Sequence, residues 1–355
     1  MIHKIIAHSV NNNGSKHNSI TQNRLASLLR LAFISLALLA ISPAMAQTPA
    51  EWKKMKGDIN LFMANDLGRN GYYEQKPIAE LMGEMAGEIG PESIIAAGDV
   101  HHFNGVASVD DPLWTSNFEN IYTHPELMMD WNPILGNHEY RGNTQACLDY
   151  KARSRRWMAE GRYYSRVFAD KKAGVTLRVI FLDTTPLIDK YRKDSEVYSD
   201  AVKQDADRQI AWLDSTLAAA HETWVIVVGH HPIYAETSKS ERERTDMQQR
   251  LLPVFKKHKN VDIYACGHIH NFQHITMPAD RTQYVVNSSA SLARKVKPIT
   301  GTVFCSPEAG FSVISATTKS LNLYMIDSKG KTLHTVSAAH CPPHISIYSI
   351  LPPSG

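Results

Sequence analysis

INLFMANDLG at residues 59–68 and SIIAAGDVHH at residues 93–102 decide the architecture between them. Each opens on an apolar run that reads as a buried strand, Ile59 to Ala64 and Ser93 to Ala97. Between them, Glu74 to Glu88 carries apolar residues at helical spacing and reads as an amphipathic helix. A β-α-β opening predicts a sheet with a crossover helix, and such sheets collect ligands beyond the carboxyl ends of their strands. Asp66 and Asp99 both fall just past such ends.

The pattern continues downstream. Strands are predicted at Trp131 to Leu135, Val175 to Asp183, Trp224 to Val228 and Val261 to Cys266, with helices at Ala201 to Ala220 and Thr245 to His258. From Tyr284 the segments Tyr284 to Asn287, Phe311 to Ser315, Ser320 to Ile326 and Thr332 to Ser337 read as strands without intervening helices, which predicts a second sheet packed on the first. With 355 residues and 43% apolar composition the chain can bury a full core, as one large α/β domain or two small ones.

The ends read differently. Residues 1–46 hold Lys4, Lys16, Arg24 and Arg30 but no Asp or Glu, then the apolar run Leu31 to Ile41, then Ala44-Met45-Ala46. This is the grammar of a signal peptide, so an exported, periplasmic or secreted protein is expected. The run is too short to cross a bilayer, which takes about 20 residues, and no stable membrane anchor is expected. Without this segment, 34 basic residues face 35 acidic ones. That balance gives no electrostatic reason to expect nucleic acid as a partner. Residues 47–339 form the expected catalytic domain, and the tail 340–355, with Pro342, Pro343, Pro352 and Pro353, resists regular structure. Cys147, Cys266, Cys305 and Cys341 show no zinc-like spacing; they could pair as disulfides in three ways, among which the sequence does not choose.

Chemistry concentrates in five loops that follow predicted strands. They offer Asp66 in MANDLGRNG, Asp99 in AAGDVHH, Asn137 and His138 in ILGNHEY, His230 in VVGHHPIY, and His268 and His270 in ACGHIHN. Carboxylate, amide oxygen and imidazole together suit borderline divalent or ferric ions. Glycine precedes the ligand in four of the loops, where freedom at positive φ is expected to allow a sharp turn. Taken singly, each residue could serve a turn or a helix cap. A tetrapeptide such as Gly-Asn-His-Glu arises by chance in such a chain with a probability on the order of 0.001, so the ordered set is not accidental.

With these motifs, the chain resembles the purple acid phosphatase branch of the metallophosphoesterases, specifically the small tartrate-resistant type. The likeness runs from about Gly57 to about Ala339 and extends to DDPLWTSNFENIYTHPEL, GNHEYRGNTQA and IAWLDSTLAAA. It implies an α/β fold, the four-layer α-β-β-α sandwich of the metallophosphoesterase type, with the metals at one end. It also implies two metal ions: Asp99 bridging, Asp66 and His270 on the first, and Asn137, His230 and His268 on the second. Such a pair clamps phosphate oxygens, activates water and stabilises in-line displacement on a small phosphorylated substrate. His138, left without a ligand role, is the expected donor to the phosphate or leaving oxygen.

Two departures stand out. The tyrosine that ligates ferric iron in the purple enzymes is replaced by His102, with His101 beside it as the alternative ligand. Imidazole suits divalent ions, so a colourless enzyme is expected, holding Fe with Fe, Mn or Zn. The loop AETSKSERERTD at residues 235–246 lacks the family's further histidine, and reads as solvated charge in which Lys239 or an arginine could meet phosphate. Leu67 stands in place of a tryptophan. Phosphodiester or pyrophosphate hydrolysis, and a degenerate phosphate or metal binder, are the rival readings. GDVHHFNGV does not match the second motif of the protein phosphatases, and no GxSxG elbow supports a serine hydrolase.

Overall fold

The structure, a computed structural model, describes residues 48–339. The expected signal peptide at residues 1–46 and tail at residues 340–355 lie outside the described residues. Thirteen strands form two mixed sheets. The first six are β1 Ile59–Ala64, β2 Ser93–Ala96, β3 Asp130–Pro133, β4 Tyr164–Asp170, β5 Val175–Phe181 and β6 Trp224–Val228. They are followed by β7 Ile263–Cys266, β8 Phe272–Ile275, β9 Gln283–Val286, β10 Thr302–Ser306, β11 Gly310–Ala316, β12 Ser320–Asp327 and β13 Thr332–Ala339. One sheet runs β13-β12-β11-β1-β2-β3 and the other β10-β8-β9-β7-β6-β5-β4. Helices are α1 Pro49–Trp52, α2 Gln75–Ile89, α3 Thr144–Asp149, α4 Asp189–Lys193, α5 Ala206–Ala218 and α6 Glu241–His258.

Strand alternation builds the layers. In β1, Ile59, Leu61 and Met63 join Leu177, Val179 and Phe181 of β5 in a core between the sheets. Phe62 and Ala64 face the other way, into a core shared with Ile78, Met82 and Met85 of α2. In β6, Trp224, Ile226 and Val228 point into the inter-sheet core while Val225 and Val227 join Leu213 and Leu217 of α5 on the outer face. Period-two strands covered on both faces thus give the expected α-β-β-α sandwich.

Two expectations need correction. The late strands do not make a separate sheet: β11 pairs antiparallel with β1, Leu61 opposite Ile314, so β11 to β13 extend the sheet that β1 began. The second sheet starts earlier, with β4 and β5, because parallel pairing carries β5, β6, β7 and β9 side by side. The helix expected at Ala201 to Ala220 is broken, since the Asp205 side chain accepts the Arg208 N–H and starts α5 afresh at Ala206. α6 begins four residues before Thr245, where Ser240 caps it by accepting the Arg242 N–H. No disulfide joins Cys147, Cys266 and Cys305; the first two are buried.

Candidate metal centre

The loops after β1, β2, β3, β6 and β7 leave the carboxyl ends of parallel strands in both sheets and meet at one end of the sandwich. Backbone bonds tie them together: Asp66 N–H to Gly98 O at 2.9 Å, Leu67 N–H to Asp99 O at 3.0 Å, and Gly267 N–H to His230 O at 3.0 Å. The turning residues are not the ones expected. Of the four glycines before ligands only Gly98 has positive φ, whereas Asp66, Asp99, His268 and His270 themselves take φ between 52° and 72°. Non-glycine residues held in the left-handed region carry strain that the surrounding structure must support, a mark of functional sites. Gly136 serves close approach instead, since a Cβ there would collide with Asp99 Oδ1.

Asp99 is the hub. Its Oδ2 lies 3.0 Å from His230 Nε2, 3.6 Å from His102 Nε2 and 3.8 Å from His138 Nε2, while Oδ1 accepts the His138 N–H. Asp66 Oδ1 lies 3.0 Å from His270 Nε2. Asp66, His102 and His270 form one group whose ligand atoms lie within 4.8 Å of one another, and Asp66, Asp99 and His230 form another. Yet Asp66 Oδ1, both His102 ring nitrogens, Asn137 Oδ1 and His230 Nε2 are buried without a hydrogen bond. The short Asp66–His270 and Asp99–His230 separations are therefore misaligned for hydrogen bonding. Buried polar atoms that converge without bonding one another are costly unless a cation satisfies them. The donor set fits a pair of metal ions.

The imidazoles are prepared for ligation. His230 donates Nδ1–H to Ala97 O at 2.9 Å and His270 donates Nδ1–H to Leu292 O at 2.8 Å, which fixes each ring with Nε2 turned to the site. Burial pushes the Asp66 carboxyl up, but His270 and His230 outweigh it and hold it well below the ordinary carboxylate range. Asp99 behaves alike, with His230, His138 and His102 opposing burial. In turn His230 is raised to about 9, because Asp99 and Asp66 overcome its desolvation. Glu139, whose role the motif alone does not reveal, accepts the N–H groups of Asp99, Gly136 and His101 and so braces two loops. Burial and Asp99 push its carboxyl up to about 7.

The adjacent histidines are placed differently. His102 faces Asp99, whereas His101 turns away, its Nδ1 3.3 Å from Asn117 Nδ2 and its ring edge-on to Trp114 at 4.6 Å. The charged loop is not simply solvated. Lys239 Nζ reaches 3.0 Å from His268 Nε2, and the buried Glu243 places Oε2 3.2 Å from the same nitrogen. Glu243 turns inward because α6 starts at Glu241, and Lys190 pairs with its other oxygen at 2.7 Å. His231, unassigned in the sequence, is buried with Nε2 unbonded, and groups with His230 and His268. Desolvation, with Lys239 and His230 nearby, lowers His268 well below the usual histidine range.

Comparison with known proteins agrees with this geometry. Residues 57–272 match the family described as Calcineurin-like phosphoesterase. Purple acid phosphatase 3 of Arabidopsis thaliana is 30% identical over 297 residues, covering 79% of this chain and 78% of its own. Tartrate-resistant acid phosphatase type 5 of Sus scrofa is 29% identical over 266 residues, covering 69% and 75%. Among solved structures, the fold is shared with a Plasmodium protein described as GAP50, the anchor in the inner membrane complex, at a TM-score of 0.68 and 21% identity, covering 80% of this chain and 89% of the other. A dimetal phosphatase from Danio rerio superposes with a TM-score of 0.54 at 12% identity, covering 81% and 100%. No helix among the described residues is long and apolar enough to cross a membrane. The chain belongs to the calcineurin-like phosphoesterase family and is a metal-dependent phosphoester hydrolase similar to the purple acid phosphatases.

Proposed function

We propose that the protein is an exported phosphatase that hydrolyses phosphate monoesters, with residues 1–46 directing export and residues 47–339 forming the catalytic domain. The observation that carries this reading is the set of buried, unbonded ligand atoms on Asp66, His102 and His230 gathered around Asp99, with the buried Asn137 Oδ1 likewise unbonded. In this reading Asp66, His102 and His270 would hold one metal ion and Asn137, His230 and His268 a second, with Asp99 available to both. When bound, the pair supplies Lewis acidity toward phosphate oxygens and lowers the pKa of water.

The protein's own side chains do the rest. His138 gives Nδ1–H to the Phe103 carbonyl, which orients Nε2 toward the centre, 3.8 Å from Asp99 Oδ2. Burial, aided by His102, holds its pKa down to about 4 against the pull of Asp99. A phosphate opposite Nε2 adds negative charge and raises that affinity for protons, so His138 takes up a proton with substrate and returns it to the leaving oxygen. Lys239 takes the place of the missing histidine as a contact to a phosphate oxygen.

Metal-loaded protein assayed with p-nitrophenyl phosphate and bis-p-nitrophenyl phosphate tests the reading. Turnover of the monoester, lost in Asn137→Ala and His138→Ala, is expected. Faster turnover of the diester assigns a phosphodiesterase, and tight phosphate binding without turnover assigns a binder.

A further inference from the structure

One wall of the centre opens into a cleft of about 440 Å³ lined by Arg69, Asn70, Tyr72, Tyr73, His102 and Phe103. His102 belongs to both, so the cleft starts one imidazole away from Asp99. Its rim is unusual for this molecule. Tyr72, Tyr73 and Phe103 are 72%, 62% and 75% exposed, and they are the only exposed aromatic side chains among the described residues. Exposed aromatics scattered singly need no explanation, but three on one cleft beside a reaction centre mark a binding surface.

The cleft is also built, not frayed. The loop that carries the tyrosines is pinned by the buried Gln75, whose Oε1 accepts the N–H groups of Arg69 and Gly71 and whose Nε2 donates to Asn117 O. Asn70 and Tyr73 hold positive φ of 53° and 56°, strain that the surrounding structure must support. Arg69 places its guanidinium 5.3 Å from the Phe103 ring centroid, and its buried Nε has no hydrogen bond. A cation stacked on an aromatic face, near Asp66 and Asp99 but in direct ion-pair contact with neither, suits a ligand that brings both a ring and a negative charge.

We infer that this cleft is a leaving-group subsite for a planar aromatic ring: the preferred substrates are phosphomonoesters whose alcohol carries such a ring close to the phosphate. The inference rests on the phosphatase reading for the position of the phosphate. With the phosphate at Asp99 and His138, the ester oxygen faces His102 and the ring falls between Phe103 and the tyrosines, while Arg69 meets the phosphate's outer charge. Stacking of this kind tolerates both nucleobases and carbocyclic rings, since each has a π-face.

Two substrate pairs with matched leaving alcohols test it on the metal-loaded full chain. Adenosine 5′-monophosphate against ribose 5-phosphate isolates the base, and benzyl phosphate against cyclohexylmethyl phosphate isolates aromaticity. Stacking predicts about a tenfold advantage in kcat/KM for the ring-bearing member of each pair. Tyr72→Ala/Tyr73→Ala should bring the ratios to within about twofold while ribose 5-phosphate turnover stays as it was. Equal rates within the pairs, or ratios unmoved by the substitutions, overturn the subsite while leaving the phosphatase intact. Calorimetric titration with adenosine separates the two readings. Binding that the substitutions weaken supports the subsite even where no ester is turned over, and no binding beside normal ribose 5-phosphate turnover overturns it.

Discussion

The two halves of the centre are made from the same kind of strand-end loop, yet they are not equally ready for a cation. On the Asp66 side, His270 has its Nδ1–H committed to a carbonyl and its Nε2 turned to Asp66 Oδ1, and both His102 nitrogens are unbonded. On the His268 side, the ring already faces an ammonium, Lys239 Nζ at 3.0 Å, and a carboxylate, Glu243 at 3.2 Å. A metal entering either half satisfies orphaned atoms, on Asp66 and His102 in the first and on Asn137 and His230 in the second. One entering the second must displace a resident charge, so the second metal should bind more weakly than the first.

Asp99 is the residue the halves share, and its loss gives the largest effect. Supporting contacts to metal ligands typically cost 10- to 100-fold when removed, so Asp99→Ala should lower kcat/KM by more than about 100-fold and release both metals. Elemental analysis after gel filtration checks this; one metal retained at full occupancy would remove Asp99 from its bridging place. Lys239→Met tests the asymmetry directly. The second equivalent of Mn(II) should bind about tenfold more tightly, with the first unchanged, while KM for a monoester rises because a phosphate contact is lost. Chelator competition reads both affinities. Unchanged affinity for the second ion breaks the comparison.

The two halves also differ in how far they could be read in advance. The five ligand loops were legible because each packs a strand, a small residue and a ligand into a short window. Their convergence followed from placing ligands at strand carboxyl ends. The strand order was not, because the pairing of β11 with β1 joins residues such as Leu61 and Ile314 far apart in the chain. Neither was the His101 or His102 choice, which turns on a ring packed against Trp114. The charged run around Glu243 looked like a solvated face; only the cap at Ser240 fixes the helical phase that buries Glu243.

His102→Tyr sharpens the first half. Its place 3.6 Å from Asp99, grouped with Asp66 and His270, would let a phenolate oxygen reach the first ion of the proposed pair. A hard anionic ligand favours iron(III), so the iron-loaded variant should gain a visible charge-transfer band that the parent lacks. Absorption spectra of the two at equal iron content decide it, and a colourless variant would count against residue 102 as a ligand.

The smallest expected effect lies behind the second half. Thr184 Oγ1 accepts the N–H groups of His230 and His231, each at 3.1 Å, and the residue before it is the buried Asp183. Burial pushes the Asp183 carboxyl up, Arg162 at 3.7 Å and the Tyr140 hydroxyl pull it down, and the balance leaves it at about 7. Folded protein then keeps a proton that the unfolded chain loses near pH 4. Between about pH 4 and 7 the native state binds more protons than the unfolded state, so this group's contribution to stability is full below pH 4 and falls as pH rises. The slope is at most about 1.4 kcal/mol per pH unit. Asp183→Asn keeps an acceptor for Tyr140 and removes the titration. Denaturant midpoints of the metal-free proteins across this window should therefore fall with pH more steeply in the parent than in the variant. Glu139, raised by the same kind of burial, contributes equally to both and cancels in the difference. Parallel slopes would mean that Asp183 is ionised throughout, with Arg162 holding its charge inside the fold.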